Sequence, residues 1–406
     1  MADVHLDTSF TGRTEALRNR LREASREALG RALDEALAEK VDAVLIAGDL
    51  FDGNRLSFSS ERFLVEQLDR LGAAGIHVVY ATGNHDPGRS AFPGRGPAWP
   101  DHVTVIGRRT PRRVPIRREG NTVGFVTAAG HEGHREAMDL SESFPRPPGE
   151  LPEVALLHTQ VHSARSAEEH HAYAPSRLET LRRSGFDYWA LGHIHTRQCL
   201  SERPPIHYPG NIQGRTPKER GPRGGLLVDL SDRADPRVEF RPFAGIRWET
   251  IEVGGLQEAH TLEGLVRRIV SVWEEERAED PVESAEWIVR VVLRGASPLW
   301  KSLADPEEAR IVADELSGIL GALDVTVEAG AMHPVVAIEE HRAREDVLGE
   351  ALRLVAEVRS GATLPVTPDD LAGFETNHAD DLDRYVRSLL EGAEAEILAR
   401  LLLTED

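Results

Sequence analysis

Ala43-Val44-Leu45-Ile46-Ala47-Gly48-Asp49-Leu50-Phe51-Asp52 is five apolar residues, a glycine, and two acids that bracket a Leu-Phe pair. An unbroken apolar run of this length, set after a long helical pattern, reads as a strand buried on both faces, as in a parallel sheet. Sheets of that kind bind ligands beyond the carboxyl ends of their strands. Asp49 is therefore placed to hold something positive. The same punctuation returns three times: His77-Val78-Val79-Tyr80 before Gly83-Asn84-His85-Asp86, Val154-Ala155-Leu156-Leu157 before His158, and Tyr188-Trp189-Ala190-Leu191 before Gly192-His193-Ile194-His195. Four strands so read carry polar ends to one rim.

Outward from this stretch, Leu17, Leu21, Ala24, Ala28 and Leu29 recur at helical spacing inside a helix expected over 14–39. A second helix is expected over 59–71, closed by Gly72 and Gly75 before the next strand. Strand and helix alternate, which is the pattern of an α/β core. Residues 87–100, rich in Gly and Pro, read as loop, and a strand-rich half follows from Val103 to about Phe243. After Gly245 the pattern becomes strand, helix, strand, helix, strand over 248–253, 262–277, 287–293, 306–320 and 325–328, a compact α+β unit. From about Ile338 the chain is helical and acidic. There Leu382, Tyr385, Val386, Leu389, Leu390, Ile397, Leu398, Leu401 and Leu402 form an apolar stripe, suited to docking on its own domain or on a partner. Three parts are expected: 1–244, 245–337 and 338–406.

Composition narrows the function. The 406 residues, 40% apolar and 29% charged, are ample for a buried core, and no apolar run is long enough to span a membrane. One cysteine, Cys199, allows neither an internal disulfide nor a thiolate metal cage, so a reducing cytoplasm is the expected location. A net charge of −20 argues against a general nucleic-acid coat protein. A nuclease stays open, because bound divalent ions reverse the charge of an acidic site. Arginines also gather in two runs, Arg108, Arg109, Arg112, Arg113, Arg117 and Arg118, then Arg215, Arg220 and Arg223 with Lys218, which are either solvated or turned to phosphate.

The polar rim comprises Asp3, His5, Asp49, Asn84, His158, His193 and His195. Carboxylates, an amide oxygen and imidazoles without sulfur suit Mn²⁺, Fe²⁺ or Zn²⁺ better than Ca²⁺. Seven such groups are too many for one ion. With Asp49 as a bridge they divide between two, the arrangement that clamps both oxygens of a phosphoryl displacement with the ions about 3.5–4 Å apart. In Asp3-x-His5 and His193-x-His195 the paired residues lie two apart, so on extended backbone both would face one side.

These motifs, in this order, resemble the calcineurin-like metallophosphoesterases, and most closely the SbcD/YhaO-type DNA repair nucleases. The resemblance covers Asp3 to about Phe243 and includes Tyr208-Pro209-Gly210-Asn211, similar to a Tyr-Pro-Gly-Ser turn of those nucleases. It implies a β-sandwich flanked by helices, then a small α+β capping domain and a helical C-terminal tail. It also implies a first metal on Asp3, His5, Asp49 and His195, a second on Asp49, Asn84, His158 and His193, and Mn²⁺ as the ion. His85 would face the scissile phosphate and protonate the leaving oxygen, with Asp52 orienting it. The implied partners are DNA, an SbcC/YhaN-like coiled-coil ATPase docked on the C-terminal helices, and a second copy of the chain. Relatives carry an apolar strand before Asp-x-His where this sequence has Met1-Ala2, so the recorded start is expected to lie downstream of the true one. Two other functions fit less well: hydrolysis of a small phosphodiester or nucleotide, which would need neither cap nor apolar tail, and a non-catalytic scaffold, which would not keep every ligand.

Overall fold

The computed structural model describes residues 1–53, 56–88, 97–161, 174–279, 285–335, 338–360, 390 and 393–402. Two compact units emerge: one holds Met1–Trp248 together with Glu286, and the other begins at Glu249.

In the first unit the strands announced by apolar runs are present at the expected places. A three-stranded parallel sheet is built from β1 (Ala43–Ala47), β2 (His77–Ala81) and β3 (Val103–Ile106). Its second sheet has six strands: β4 (Arg112–Arg118), β5 (Asn121–Ala129), β6 (Glu153–His158), β9 (Tyr188–Gly192), β10 (Gln198–Glu202) and β11 (Pro205–Tyr208), in the order β10-β11-β9-β6-β5-β4. Between β6 and β9 lies a two-residue ladder of β7 (Gln160–Val161) and β8 (Pro175–Ser176), and β12 (Gly224–Asp229) pairs with β13 (Arg237–Pro242).

Side-chain alternation along the strands shows how the layers stack. Val44 and Ile46 of β1 and Val78 and Tyr80 of β2 join a core with Leu29 and Leu33 of helix α1 (Glu15–Ala38) and Leu64 and Leu68 of helix α2 (Phe58–Ala73). The intervening Ala47, Val79 and Ala81 face the other way, onto Val126, Val154, Leu156 and Tyr188 of the second sheet. Ala155, Leu157, Trp189 and Leu191 line the far side of that sheet, with Leu181 of helix α3 (Leu178–Arg183). The result is an α/β sandwich with helices outside both sheets. β1, β2, β6 and β9 end toward one rim, where the register sets His158 beside Gly192.

Apart from Ile246, Arg247, Trp248 and Glu286, which count with the first unit, the second unit contains the sheet of β14 (Ile246–Val253), β15 (Glu286–Ala296) and β16 (Asp324–His333) with helices α4 (Leu262–Glu279), α5 (Trp300–Leu303) and α6 (Pro306–Leu320), then α7 (Ile338–Arg342) and α8 (Val347–Ser360). The helix Ala393–Leu402 brings Leu398, with Ile397 and Leu401, onto Leu348 and Leu352 of α8. Leu382, Tyr385, Val386 and Leu389 of the apolar stripe lie outside the described residues. Among the described residues no helix is long and apolar enough to cross a membrane.

Candidate metal centre

Each strand end delivers its polar group through a tight turn. After β1, Gly48 takes φ +83°, and a Cβ there would run into the His158 ring, so glycine is required both by the backbone and by the space. Asp49 follows at φ +49°. Alongside this turn, Asp3 N donates to Gly48 O at 3.2 Å, His5 N to Asp49 O at 2.9 Å and Leu6 N to Leu50 O at 2.9 Å. The extended backbone expected for Asp3-x-His5 is not found. Asp3 and His5 sit at φ +51° and +49°, because their amides follow the curved turn of residues 48–50 rather than a flat neighbouring strand. His193 likewise departs from extended geometry, at φ +103°, with its N–H donating to the Asp3 carboxylate at 3.2 Å. Such conformations are unfavourable for non-glycine residues and persist where surrounding contacts enforce them, typically at functional sites.

All seven rim residues come together. His158 Nδ1 lies 2.9 Å from the Ala47 carbonyl oxygen, which can only accept, so Nδ1 carries the proton. Nε2 then presents a lone pair, yet it faces Asn84 Oδ1 at 2.8 Å, His193 Nδ1 at 3.3 Å and Asp49 Oδ2 at 3.4 Å. His193 Nδ1 is itself 3.1 Å from the same Asn84 oxygen. The pattern repeats at His195, whose Nδ1 is 2.6 Å from Glu219 Oε1. Its Nε2 faces His5 Nε2 at 3.3 Å and Asp3 Oδ1 at 3.7 Å. From His5 Nε2 to Asp49 Oδ2 is 3.7 Å. Acceptors gather at two points with Asp49 between them, and acceptors that face one another are stabilised by a cation.

Protonation states point the same way. Burial holds the Asp3 carboxyl up at about 6, and burial, then the neighbouring Asp86 and Asp3, pushes Asp49 well above the usual carboxylate range. Burial keeps His5 and His158 well below the ordinary imidazole value, hence neutral and able to ligate. Divalent cations reverse the cost of ionising the two acids. The donor set therefore fits two hard to borderline divalent ions, and Asp3, Asp49 and His158, like Asp3, His5 and His195, offer ligand atoms within 4.8 Å of one another.

His85 stands beside this cluster, half exposed, with its amide donating to Asp49 Oδ1 at 2.8 Å and its ring 4.8 Å from that of His5. Asp52 Oδ1 is 2.7 Å from His85 Nδ1 and 3.6 Å from His5 Nδ1. Burial alone would raise Asp52, but the His5 and His85 rings and the Arg215 guanidinium outweigh it and hold the carboxylate far below its ordinary range. Arg215 Nη2 donates to Asp52 Oδ2 at 2.9 Å.

Two residues of the site, Glu219 and Asp86, receive no role from the sequence, and a third, Arg215, is marked there only within a basic run that is either solvated or turned to phosphate. Glu219 orients His195 and is held down at about 2, burial being outweighed by His195 and the amide and charge of Arg215. Arg215 stands out in the chain only as part of a basic run. Asp86, fully buried, accepts from the amides of Asp49, Leu50, Phe51 and Gly83 and from the Tyr80 hydroxyl, tying the β1 turn to the β2 turn. Its place directly after Asn84-His85 is the available signal. The other basic run is engaged structurally: Arg109 pairs with Glu136, Arg113 with Glu153 and Arg118 with Asp42. Tyr208 lies behind the cluster, its hydroxyl donating to Thr159 O at 2.7 Å.

Residues 1–197 match the Calcineurin-like phosphoesterase family. Among curated proteins, the chain is 31% identical to "Uncharacterized metallophosphoesterase YhaO" of Bacillus subtilis, over 97% of this chain and 88% of that one. It is 27% identical to "DNA double-strand break repair protein Mre11" of Methanopyrus kandleri, over 100% of this chain and 79% of the relative. A subunit of the SbcCD nuclease of Rhodobacter capsulatus is 29% identical over 50% of this chain and 60% of its own length. A likeness that runs the length of the chain, joined to a buried set of imidazoles and carboxylates at four strand ends, means that the protein belongs to the calcineurin-like metallophosphoesterases and is a metal-dependent phosphoesterase.

Proposed function

We propose that this phosphoesterase is a nuclease that hydrolyses DNA phosphodiesters with two Mn²⁺ ions, as a subunit of a DNA repair machine. The observation that carries the two-metal part is the pair of points at which imidazole nitrogens and acid or amide oxygens converge, with Asp49 common to both. Asp3, His5, Asp49 and His195 would hold one ion, and Asp49, Asn84, His158 and His193 the other. Bound there, the ions supply Lewis acidity and charge neutralisation to a phosphoryl group. Asn84 and His85 are neighbours, so a phosphate held at the cluster lies within reach of the His85 ring. That ring donates a proton to the departing sugar oxygen, and Asp52 fixes its orientation through Nδ1.

DNA as substrate is supported by the names of two relatives, a double-strand break repair protein and a nuclease subunit. In this reading residues 245–337 cap the nuclease domain of residues 1–244, and residues 338–406 dock an SbcC/YhaN-like ATPase in the cytoplasm. On α8, Val347 and Leu354 are exposed apolar residues available to such a partner. A second copy of the chain completes the assembly.

The deciding experiment measures cleavage of labelled linear duplex and single-stranded DNA with Mn²⁺, wild type against His85→Ala, with bis(p-nitrophenyl) phosphate in parallel. Loss of DNA cleavage by about 10²-fold or more in the variant, at unchanged metal content, is expected. Hydrolysis of the small ester alone would replace the nuclease reading with a small-phosphodiester one.

A further inference from the structure

The loop that joins β11 to β12 reaches the cluster with two side chains of opposite charge. Glu219 is the anchor: Oε2 accepts from the amides of Arg215 and Thr216, Oε1 meets His195 Nδ1, and Glu219 N donates back to Thr216 O at 3.0 Å. The backbone at Arg215 is thus locked to His195. Its side chain is largely buried, 16% exposed, and touches the site through one nitrogen, the 2.9 Å bond from Nη2 to Asp52. Arg215 Nε is buried and, among the described residues, has no hydrogen-bond partner. A guanidinium has five N–H donors in a planar fork that matches phosphate, so a single bond to one carboxylate oxygen leaves most of that capacity unused.

We infer that Arg215 is a catalytic residue: its guanidinium binds a non-bridging oxygen of the scissile phosphate, next to His85. The step balances with no proton transferred to or from Arg215. A water oxygen forms the new bond to phosphorus and its proton goes to solvent, the bond to the leaving oxygen breaks, and His85 supplies the proton that oxygen takes up. Arg215 stays charged throughout and meets the negative charge that spreads over the phosphoryl oxygens. Its charge already acts on Asp3, Asp49 and His5, which places it at the cluster electrostatically as well as by hydrogen bond. The inference rests on the proposed metal-dependent hydrolysis and is independent of DNA as the substrate.

The test uses the full chain loaded with Mn²⁺. Binding of inorganic phosphate is measured by calorimetry for wild type, Arg215→Ala and Arg215→Lys, each also on an Asp52→Asn background, with Mn²⁺ stoichiometry determined for all. Arg215→Ala is expected to weaken phosphate at least tenfold and Arg215→Lys by less, with metal content unchanged. The loss should persist on the Asp52→Asn background, since the contact is with phosphate. With bis(p-nitrophenyl) phosphate, kcat falls about 10²-fold in Arg215→Ala. Phosphate binding that is absent in wild type, equal in Arg215→Ala, or insensitive to Arg215→Ala once Asp52 is replaced would overturn the inference, the last by showing that Arg215 acts only through Asp52. If the small ester is hydrolysed and DNA is not, the nuclease reading fails while the phosphate data still decide the role of Arg215.

Discussion

Asp86 does for the backbone what Asp49 would do for metal. Buried completely, it gathers four amide donors and a phenol, and burial, only partly offset by those bonds, raises its carboxyl. Asp86→Asn keeps the size but sets an amide NH₂ against amide N–H groups. The expected loss is about 2–3 kcal/mol in urea unfolding, and an unchanged midpoint would show that the turn does not need the carboxylate. His207 allows a prediction away from the cluster. Its ring stacks on Tyr188 with centroids 5.8 Å apart, and burial lowers its basicity. The unfolded chain therefore binds the proton more readily, so the stability tied to neutral His207 is present above about pH 6.5 and is lost as pH falls. His207→Gln should flatten the fall of Tm between about pH 7 and 5; an unaltered slope would assign the acid sensitivity elsewhere. Residues in register with apolar strands can be read from the chain because the strand announces them. Glu219 cannot, and Arg215 only as one member of a basic run, since they sit in a Gly- and Pro-rich loop whose sequence carries no period and whose contacts reach 24 and 163 residues back.

At the scale of elements, legibility follows the strength of the local pattern. Helix α1, expected over 14–39, spans Glu15–Ala38, with Thr14 as the cap whose hydroxyl accepts from Leu17 N. β1, β2, β6 and β9 each follow from an apolar run. The segment Asp3–Leu6 shows the opposite case. Its geometry comes from pairing with residues 48–50, a tertiary contact that no local period encodes. α6 is legible at both ends: Asp305 caps it by accepting from Glu307 N at 2.9 Å, Pro306 follows, and Gly321 closes it at φ +61°. Asp305→Ala should cost about 1 kcal/mol, read from chemical unfolding, and a smaller effect than the matched Asp305→Gly change would argue against a capping role.

For the whole molecule, the rim residues all fall in the first unit, within Met1–Trp248. A ligand that binds only the folded state stabilises the part of the chain that forms its site, by RT ln(1 + [L]/Kd), about 2.7 kcal/mol at a hundredfold excess over Kd. Metal should therefore act unevenly. Hydrogen exchange followed by mass spectrometry, with Mn²⁺ and after chelation, is expected to show slower exchange with metal in β1, β2, β6 and β9. Amides of β16 and α6 in the second unit should be unchanged. Slowing by about 10²-fold in the first unit alone would mean that the two units open separately and that metal loading is a folding term for one of them. Equal slowing in both would mean that they unfold as one, and metal would then stabilise the second unit at a distance. No change in either would count against the rim as a metal site, because an ion held there only in the folded state must lower the population of every form in which the strand ends are apart.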